Sequence, residues 1–377
     1  MTQAIRPKVM MLGLRGVPQV QGGVEKHVEE LSRVFVEKGW DVEVVGRKPY
    51  LAETKPYQWE GVQVTPLWAP LSTKFEAIAH TLLGVLVAAY RRPDILHIHA
   101  IGPALLTPLA RLFGLKTVVT HHGFDYNRDK WGGLARKMLK TGEWAGMRFA
   151  NARIAVSNHI AEAMTKQYHV PVQFVPNGVT LRDTGGVSDV LAQFALVPKQ
   201  YVVMVARIVP EKNQHDLIAA FGAMQAAGQH SDKKLVIVGA ADHQSDYVDQ
   251  VKALAAQTPN TVLTGVQRGD DLTALYSNAA LFVLPSSHEG MPIAMMEAMG
   301  YGLPVLASNI TANIEVGLPV TDYFPLGNTA ALVQQMAFKL DQPFSVQQAA
   351  QQSADVAETY GWTGIAEQTL TVYRQLL

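Results

Sequence analysis

Cysteine is absent from this 377-residue sequence, which excludes disulfides and thiolate metal sites and fits a reducing compartment. No run of about 18 uninterrupted apolar residues occurs, so we expect no transmembrane helix. The N-terminal stretch MTQAIRPKVMMLGL lacks the layout of a signal peptide, and the sequence contains no Asp-x-Asp motif with which carboxylates could hold a divalent cation. These absences favour a cytoplasmic protein whose chemistry needs no metal.

The composition, 48% hydrophobic and 17% charged, is that of a globular protein, and the length suits two domains of roughly 150–200 residues. The net charge is zero but unevenly distributed: residues 1–177 carry 22 Lys and Arg against 14 Asp and Glu, and the remaining 200 carry 10 against 18. The basic first half indicates an anionic partner. Because no nucleic-acid-binding module is recognisable, we favour an anionic membrane surface or a phosphorylated lipid, met at the inner face of the cell membrane.

Short apolar runs rich in β-branched residues alternate with helix-like stretches, a pattern typical of parallel sheets covered by helices on both faces. The runs are 9–14, 42–45, 62–67, 95–98, 117–120, 153–156 and 172–175, then 201–205, 235–238, 261–263, 281–284 and 304–307. The pattern restarts near Tyr201, after the loose stretch 177–188. The sequence therefore predicts two doubly wound α/β domains that bind ligands at the loops following their strands.

The loop 15–25 (RGVPQVQGGVE) follows the first of these runs, and Gly22 and Gly23 precede a predicted amphipathic helix over 24–38. Glycines at a helix N-terminus let backbone N–H groups approach a phosphate, which the helix dipole also attracts. A tight turn without a ligand would have the same sequence, so both interpretations stay open here.

Four histidines lie at the ends of two consecutive runs: His97 and His99 in DILHIHA, and His121 and His122 in VVTHHGFD. A metal site is one interpretation, although neither a HExxH helix nor carboxylates at ligand spacing accompany them. Alternation along a strand turns the first two to the same face and the second two to opposite faces. We expect one histidine of each pair to be structural, and His122, which precedes Gly123, to face a substrate.

Cations lie after the first run of the second domain, where Arg207 and Lys212 are part of ARIVPEKN. Arginine, by its planar fork, and lysine, as a point charge, can clamp a diphosphate. A solvated loop is the alternative.

The segment 286–302 (SSHEGMPIAMMEAMGYG) is the most informative one. Pro292 suits the first turn of a helix that runs to about Met299, and the backbone N–H groups near residues 290–293 form an anion site. Glu289 and Glu297 lie eight residues apart, and a carboxylate can accept two hydrogen bonds from a vicinal diol of a sugar or ribose. On this apolar helix Glu297 needs a partner, and a structural salt bridge is the alternative to a ligand.

In this order and spacing, these elements resemble the GT4-type family of retaining GT-B glycosyltransferases, the group 1 glycosyltransferases. The Glu-x7-Glu stretch EGMPIAMMEAMGYGLPV is the specific motif, supported by Gly-Gly-Val-Glu, by VPNGV at 175–179 and by the Arg207 loop. The resemblance implies an acceptor-side Rossmann-like domain over 1–178 and a nucleotide-sugar-binding one over 179–359, facing each other across a cleft. A terminal helix over 360–377 is expected to cross back onto the first domain.

The resemblance also implies the donor-binding residues. Arg207 and Lys212 hold the diphosphate, assisted by the residues at two helix N-termini: Gly22, Gly23, Gly290, Met291, Pro292 and Ile293. Glu297 contacts the ribose and Val266 lies against the base. The role of Glu25 in the Gly-Gly-x-Glu element stays open.

The implied catalytic residues are His122, beside the reacting centre, Glu289 on the donor-sugar hydroxyls, and the two phosphate-binding cations, Arg207 and Lys212. The neighbouring His121 departs from the family pattern, so the choice between the two histidines stays open. The tripeptide 269–271 (GDD) is no metal motif and is expected to cap a helix from Leu272.

The implied reaction transfers a hexose-type sugar from a nucleotide diphosphate sugar to a hydroxyl of a glycan or lipid-linked acceptor, in polysaccharide or glycoconjugate biosynthesis. The nucleotide sugar is a substrate, and no cofactor or metal is implied. A sugar-nucleotide epimerase on the same fold and a non-catalytic nucleotide-sugar-binding partner of another transferase are the alternatives.

A basic segment in the first domain suggests membrane docking. Its seven cations, against two acidic residues, are Arg128, Lys130, Arg136, Lys137, Lys140, Arg148 and Arg153. On a helical wheel over 131–149, one side carries Trp131, Leu134, Ala135, Met138, Ala145 and Phe149, with Arg136 and Lys140 opposite. That layout is typical of an interfacial helix, although four glycines weaken the helix prediction. The alternative is a helix packed on its own sheet with a solvated basic face.

Overall fold

The computed structural model describes residues 6–70, 76–127, 132–184, 186, 188–241 and 244–377. The chain divides into two compact units, one formed by Met1–Gly178 with Tyr360–Leu377 and the other by Val179–Thr359. These bounds coincide with those given above for the two domains. Arg128, Lys130 and Trp131 of the basic segment lie outside the described residues.

Strands and helices alternate in the first unit. The strands are β1 (Lys8–Leu12), β2 (Asp41–Arg47), β3 (Tyr57–Trp59), β4 (Val62–Leu67), β5 (Ile95–His99), β6 (Thr117–His121), β7 (Ala152–Ala155) and β8 (Gln173–Phe174). The helices are α1 (Gly23–Glu37), α2 (Glu76–Arg91), α3 (Thr107–Leu112), α4 (Gly133–Phe149) and α5 (Asn158–Tyr168). Short 3-10 turns cover Lys48–Tyr50, Pro103–Leu106 and Asp125–Asn127.

The strand order in this sheet is β3-β4-β2-β1-β5-β6-β7-β8. Neighbouring strands are parallel, with Val9 of β1 opposite Val42 on one side and Ile95 on the other. The exception is β3, which pairs antiparallel with β4 and which the sequence analysis did not predict. Glu60 and Gly61 connect the two strands in a tight turn, with positive φ angles of 46° and 80°. The order reverses between β1 and β5, so the loops after these two strands flank the switch point.

The second unit repeats the pattern. Its strands are β9 (Tyr201–Val205), β10 (Lys234–Val238), β11 (Thr261–Gly265), β12 (Leu281–Leu284), β13 (Val305–Ser308) and β14 (Tyr323–Phe324). Its helices are α6 (Val190–Gln193), α7 (Gln214–Ala226), α8 (Asp246–Gln257), α9 (Gly269–Ser277), α10 (Ile293–Gly300), α11 (Thr311–Ile314), α12 (Thr329–Asp341) and α13 (Val346–Tyr360). Turns cover Pro210–Lys212 and Val320–Asp322.

All strand pairs of this second sheet are parallel, in the order β11-β10-β9-β12-β13-β14, with the switch point between β9 and β12. One helix start was predicted wrongly. Helix α9 begins at Gly269, not Leu272, because this glycine takes a φ of 56° at the helix entrance. Asp270 and Asp271 therefore lie in the first turn, where the helix dipole favours carboxylates, instead of capping it.

The terminal helix α14 (Trp362–Arg374) belongs to the first unit, which confirms the expectation that the chain end returns there. Tyr373 is fully buried, with its ring centre 5.5 Å from that of Phe35 and 5.4 Å from that of Trp40. Its hydroxyl lies 2.5 Å from Nδ1 of His97. Near the start of the helix, Trp362 contacts the ring of His27 at 5.5 Å between ring centres. The helix thus completes the aromatic core on which α1 and β5 pack.

Helix α4 packs on its own unit through a face of small residues. Gly142 lies against the backbone of Ile101, where an added Cβ would approach the carbonyl oxygen to 2.1 Å, and Gly146 lies against Ala104. Two of the four glycines that weakened the helix prediction therefore let the helix approach the Pro103–Leu106 turn closely.

The helical wheel placed the residues of α4 on the wrong faces, because it took the large apolar side chains as one side and did not expect the glycines to be buried. The buried residues are Leu139, Gly142, Glu143, Ala145, Gly146 and Met147, whereas Leu134, Trp144 and Phe149 are exposed beside the cations Arg136, Lys137, Lys140 and Arg148. The predicted apolar side is thus split, since Ala145 is buried while Leu134 is 85% exposed. The small-residue face, and not the apolar one, contacts the rest of the unit.

Two glycines of α4 offer a matched test of this packing. We expect Gly142→Ala to lower the free energy of unfolding by about 1–3 kcal/mol, because the new methyl group meets backbone that cannot move aside without strain. Gly133→Ala, in the same helix but with no atom within 4 Å of the added Cβ, should leave stability unchanged or raise it by less than about 1 kcal/mol. Thermal unfolding of both variants beside the parent measures the difference, and equal transitions would contradict the close approach.

Candidate functional site

The loop after β1 is held by a half-buried ion pair at the first switch point. Nε and the backbone N–H of Arg15 both donate to Oε1 of Glu25 at 3.1 Å, and the guanidinium also donates to the carbonyl of Gln21. Gly22 takes a φ of 151°, and a Cβ there would approach Oε2 of Glu25 to 2.0 Å. Glu25, whose role the sequence left open, therefore fixes the shape of the Gly22–Gly23 turn.

The histidines of β5 and β6 divide into structural and available ones, as expected. Both ring nitrogens of His97 are hydrogen-bonded: Nδ1 to the Tyr373 hydroxyl at 2.5 Å and Nε2 to Oγ1 of Thr120 at 2.6 Å. His121 is equally satisfied: Nδ1 accepts from the Gly123 N–H at 3.2 Å, so Nε2 carries the proton and donates to Glu143 at 3.0 Å. Both are buried parts of the unit's frame.

Glu143 receives further hydrogen bonds, including one of 2.7 Å from the Tyr168 hydroxyl. Burial favours its neutral form, but the hydrogen bonds from His121, Tyr168 and Tyr126 together hold the pKa of Glu143 below its usual value. His121 thus lies next to a buried carboxylate that stabilises it in this structural position.

His122 belongs to a different group. Its Nε2 lies 3.1 Å from Nδ1 of His99, and its ring centre is 5.1 Å from that of His27 on α1. His122 is partly exposed, whereas His27 and His99 are buried. His27 was not among the predicted site residues; the signal that could have found it is its position one helical turn after Gly23, on the face of α1 that must cover the sheet.

These three imidazoles are neutral at physiological pH. Burial, opposed only in part by the hydrogen bond that His27 makes with Asn177, lowers the pKa of His27 to about 4. Burial and the neighbouring histidines hold the pKa values of His99 and His122 well below the usual 6.5. The ring nitrogens of this group are therefore hydrogen-bonding or ligating atoms and not fixed charges.

In the second unit, the loops after β9 and β12 are joined at the switch point. The Ser287 N–H donates to the carbonyl of Glu211 at 2.9 Å, and Nδ2 of Asn213 donates to the carbonyl of Pro285 at 3.0 Å. These bonds bring together Lys212 and Glu289, which the sequence separates by 77 residues and which form an ion pair between Nζ and Oε1.

Arg207 lies at the start of the same loop, which Gln214 fastens by donating from Nε2 to the Arg207 carbonyl at 2.7 Å. Both guanidinium and ammonium groups therefore belong to one short loop outside the carboxyl end of β9. Val266, by contrast, follows β11 at the edge of the sheet, two strands away from β9.

The start of α10 differs in detail from the prediction. Pro292 is the N-cap residue instead of the first helical residue. The Ile293 N–H donates to the Met291 carbonyl at 3.1 Å, and proline has no N–H to offer. Neither Pro292 nor Ile293 therefore adds a backbone donor, whereas Gly290 and Met291 are partly exposed in the turn before the helix.

Glu297, on α10, finds a partner in Tyr276, whose hydroxyl donates to Oε2 at 3.1 Å. Tyr276 is buried and stacks on Tyr301 with ring centres 5.5 Å apart. Burial, with the adjacent carboxylate, raises the pKa of Tyr276 well above 10, so this hydroxyl stays a donor. Glu297 itself is partly exposed, and the tyrosine fixes the carboxylate without covering it.

Helix α3 contacts both α2 and α4 in the first unit. The three helices present exposed apolar side chains: Leu82, Leu86, Tyr90, Leu112, Leu134, Trp144 and Phe149. Leu82, Leu86 and Tyr90 form a stripe at four-residue spacing along α2. None of the helices in the described part of the chain combines the length and apolarity needed to cross a bilayer.

Comparisons with known proteins agree with this geometry. The family model Glycosyltransferase Family 4 matches residues 21–183, and the model Glycosyl transferases group 1 matches residues 192–319. Glycogen synthase from Mycobacterium tuberculosis is 24% identical over 97% of this chain and 94% of its own length. The UDP-Gal:alpha-D-GlcNAc-diphosphoundecaprenol alpha-1,3-galactosyltransferase of Escherichia coli is 28% identical over 58% of this chain and 59% of its own.

The solved structure of sucrose-phosphate synthase from Thermosynechococcus elongatus superimposes with a TM-score of 0.84 at 20% identity, covering 98% of this chain and 99% of that one. This likeness shows the fold, and the two family models fall on the two units in turn. The chain therefore belongs to the GT4-type group 1 glycosyltransferases and has the GT-B fold.

Proposed function

We propose that the protein transfers a hexose-type sugar from a nucleoside diphosphate sugar to a hydroxyl of a glycan or lipid-linked acceptor, with retention of configuration and without a metal ion. The main support for this proposal is that Lys212, Glu289 and the loop that contains Arg207 lie together at the switch point of the second unit. A lipid-linked acceptor is supported by the relative whose name specifies transfer from UDP-Gal to a diphosphoundecaprenol-linked sugar.

The Lys212–Glu289 pair gives the donor a defined way to bind. Without a ligand, the ammonium and carboxylate groups neutralise each other at this half-buried position. A diphosphate competes for Lys212 and is held also by the fork of Arg207. Glu289 then remains close to the phosphates, with oxygens available to accept hydrogen bonds from sugar hydroxyls. Backbone groups at Gly290 and Met291, in the turn before α10, add to the phosphate site. The turn at Gly22 and Gly23 in the first unit stays a predicted phosphate contact.

The proposed sugar transfer depends on stabilising the diphosphate leaving group, and it needs no basic side chain of the protein to accept the acceptor's proton. The bond between the anomeric carbon and the diphosphate oxygen breaks, and the acceptor oxygen forms its bond on the same face of an oxocarbenium-like centre. The acceptor proton passes to the departing phosphate oxygen. Arg207 and Lys212 stabilise the charge that develops there, so electrostatic preorganisation supplies the main catalytic effect, and a metal is not required for it.

His122 is proposed to contact the reacting sugar. Because burial holds the pKa of His122 far below 6.5, the neutral imidazole acts through hydrogen bonding. His99, 3.1 Å away, orients its ring. This assignment differs from that of His121, which the hydrogen bonds to Glu143 and Gly123 occupy completely.

Glu297 is proposed to bind the ribose, and its removal tests the nucleotide site. A thermal-shift screen with UDP, GDP and ADP selects the nucleotide, since a ligand of the folded state raises its unfolding temperature. In calorimetry, Glu297→Ala should then weaken binding by about 5- to 150-fold, the loss of 1–3 kcal/mol that follows from unpaired ribose hydroxyls.

Two controls make that result specific. Glu358→Ala removes an exposed carboxylate of α13 in the same unit and should leave the affinity unchanged. The 2′,3′-dideoxy form of the nucleotide should bind parent and Glu297→Ala equally, because the hydroxyls that the carboxylate would accept from are gone. If Glu297→Ala binds the normal nucleotide as tightly as the parent, Glu297 is not the ribose ligand.

The two neighbouring histidines should fail in different ways. His122→Ala should reduce kcat on the order of 100-fold while donor affinity changes little, because a positioned hydrogen bond at the reacting centre is lost. His121→Ala should instead lower the unfolding temperature, since Glu143 loses a buried partner. Kinetics on folded protein together with thermal unfolding separate the two effects, and a kcat loss confined to His121→Ala would reverse the assignment.

We further propose that the first unit docks on an anionic membrane to reach a lipid-linked acceptor. On α4 the exposed Leu134, Trp144 and Phe149 lie among the exposed cations, and α2 of the same unit carries a second exposed apolar stripe. Apolar side chains that enter the headgroup region, with cations beside them, are the composition of an interfacial surface.

The triple variant Arg136/Lys137/Lys140→Glu should bind anionic vesicles roughly a hundredfold more weakly, since each cation near such a surface contributes on the order of 1 kcal/mol. Lys38/Lys48/Lys55→Glu changes the charge equally at exposed positions elsewhere in the unit and is the matched control. Co-sedimentation with anionic and neutral vesicles at low and high salt measures both. Equal losses in the two triple variants would attribute binding to net charge and refute the α4 surface.

A further inference from the structure

Three histidines from three different elements converge in the first unit. His27 lies on α1, His99 is the last residue of β5, and His122 directly follows β6. Their ring centres form a nearly equilateral triangle with sides of 5.7, 5.1 and 5.4 Å. One ring nitrogen of each lies within 4.8 Å of the other two. In the described part of the chain, no other group of histidine or carboxylate residues meets this geometry.

The triangle has the dimensions of a tris-imidazole metal site. With zinc–nitrogen bonds of about 2.0–2.1 Å and tetrahedral angles, three ring centres lie about 5.2 Å apart and the bound nitrogens about 3.4 Å apart. The observed sides scatter around the first value, and the 3.1 Å between Nδ1 of His99 and Nε2 of His122 approaches the second. One nitrogen of each histidine lies within 4.8 Å of the other two, so binding one ion requires the rings to close toward about 3.4 Å.

Two buried nitrogens of the group lack any hydrogen-bond partner among the described residues: Nδ1 of His27 and Nε2 of His99. An unsatisfied buried nitrogen costs free energy, which a metal ion bound to Nδ1 of His27 would recover. His99 would bind the same ion through Nδ1, the nitrogen that lies 3.1 Å from His122, and its Nε2 would stay without a partner. For His27 the surroundings also supply the outer hydrogen bond that a metal-bound histidine needs, and for His99 they supply ring packing. Asn177 hydrogen bonds to His27, and His97, satisfied through both its own nitrogens, stacks on His99 at 4.0 Å.

We propose that His27, His99 and His122 bind one divalent transition-metal ion of the Zn²⁺ type, with water in the fourth position, and that the bound ion inhibits sugar transfer by occupying His122. Imidazole-rich sites favour such ions over Mg²⁺ and Ca²⁺, which prefer oxygen ligands. The inhibition rests on the proposed function, whereas the binding rests on the triangle alone. The partly exposed His122 gives the ion its way in from solvent.

Titration of chelator-treated protein with Co²⁺ tests the site without any activity. The visible d–d absorption of Co²⁺ distinguishes a tetrahedral nitrogen site from a hydrated surface ion. We expect one Co²⁺ per chain with a tetrahedral spectrum, displaced by Zn²⁺ and not by Mg²⁺. His27→Gln should weaken Co²⁺ binding at least about tenfold, as loss of a ligand does. His122→Asn, at the less buried corner, provides a second variant if His27→Gln fails to fold.

His169→Asn is the matched control, because His169 is an exposed histidine of the same unit whose φ of 54° suits asparagine. It should bind Co²⁺ like the parent. An octahedral spectrum, or equal binding in the parent and both cluster variants, would overturn the site, as would a loss of binding in His169→Asn alone.

The activity measurement separates the two proposals. In EDTA the parent should transfer sugar, and saturating Zn²⁺ should inhibit the parent strongly but His27→Gln little, relative to each protein's own rate in EDTA. Zn²⁺ that binds at the cluster without slowing transfer would refute the inhibition and leave the site standing. Complete loss of transfer in EDTA, restored by Mg²⁺ or Mn²⁺, would refute metal-independent transfer, while the Co²⁺ spectrum still decides whether the site exists.

Discussion

The reversal of strand order in each sheet is the constraint on which the candidate sites depend. Parallel strands that wind outward from a central pair leave two loops diverging at its carboxyl end, β1 with β5 in one unit and β9 with β12 in the other. Backbone hydrogen bonds then set the distance between those loops in the second unit, such as the one that the Ser287 N–H donates to the Glu211 carbonyl. In the second unit the charged side chains lie close together because their loops follow neighbouring strands at the carboxyl end of the sheet. The same arrangement brings the histidines of the first unit together.

Burial decides what these groups can do once they meet. Lys212 with Glu289, and Arg15 with Glu25, are ion pairs sheltered enough to keep defined positions, whereas fully exposed pairs would contribute little. Burial holds the pKa values of His27, His99 and His122 low enough to keep these imidazoles neutral, which suits hydrogen bonding and ligation. Because the folded pKa of His27 is depressed to about 4, its contribution to stability is complete above about pH 6.5 and is lost as the pH falls toward 4.

Small residues shape the first unit as much as large ones. Gly142 lets α4 lie against the backbone of Ile101, and Gly146 lets it lie against the side chains of Ala104 and Val119. Trp144 and the cations of this helix therefore face outward. The aromatic residues of α14 fill the core beneath α1, and His97 is fixed by Tyr373. His97, which packs against His99, is thus supported by a helix that lies more than 260 residues further along the chain.

The sequence by itself determined the alternation of strands and helices, the restart near Tyr201 and the family, because buried parallel strands and the Glu-x7-Glu motif leave local patterns. It also selected the loops that carry Arg207, Lys212, Glu289 and His122. Only the tertiary structure decided that Glu25 fixes Arg15, that Tyr276 orients Glu297, that His27 joins His99 and His122, and which face of α4 is buried. Each of these is a contact between distant segments, set by strand order and close packing, and hydrophobic periodicity does not encode such contacts.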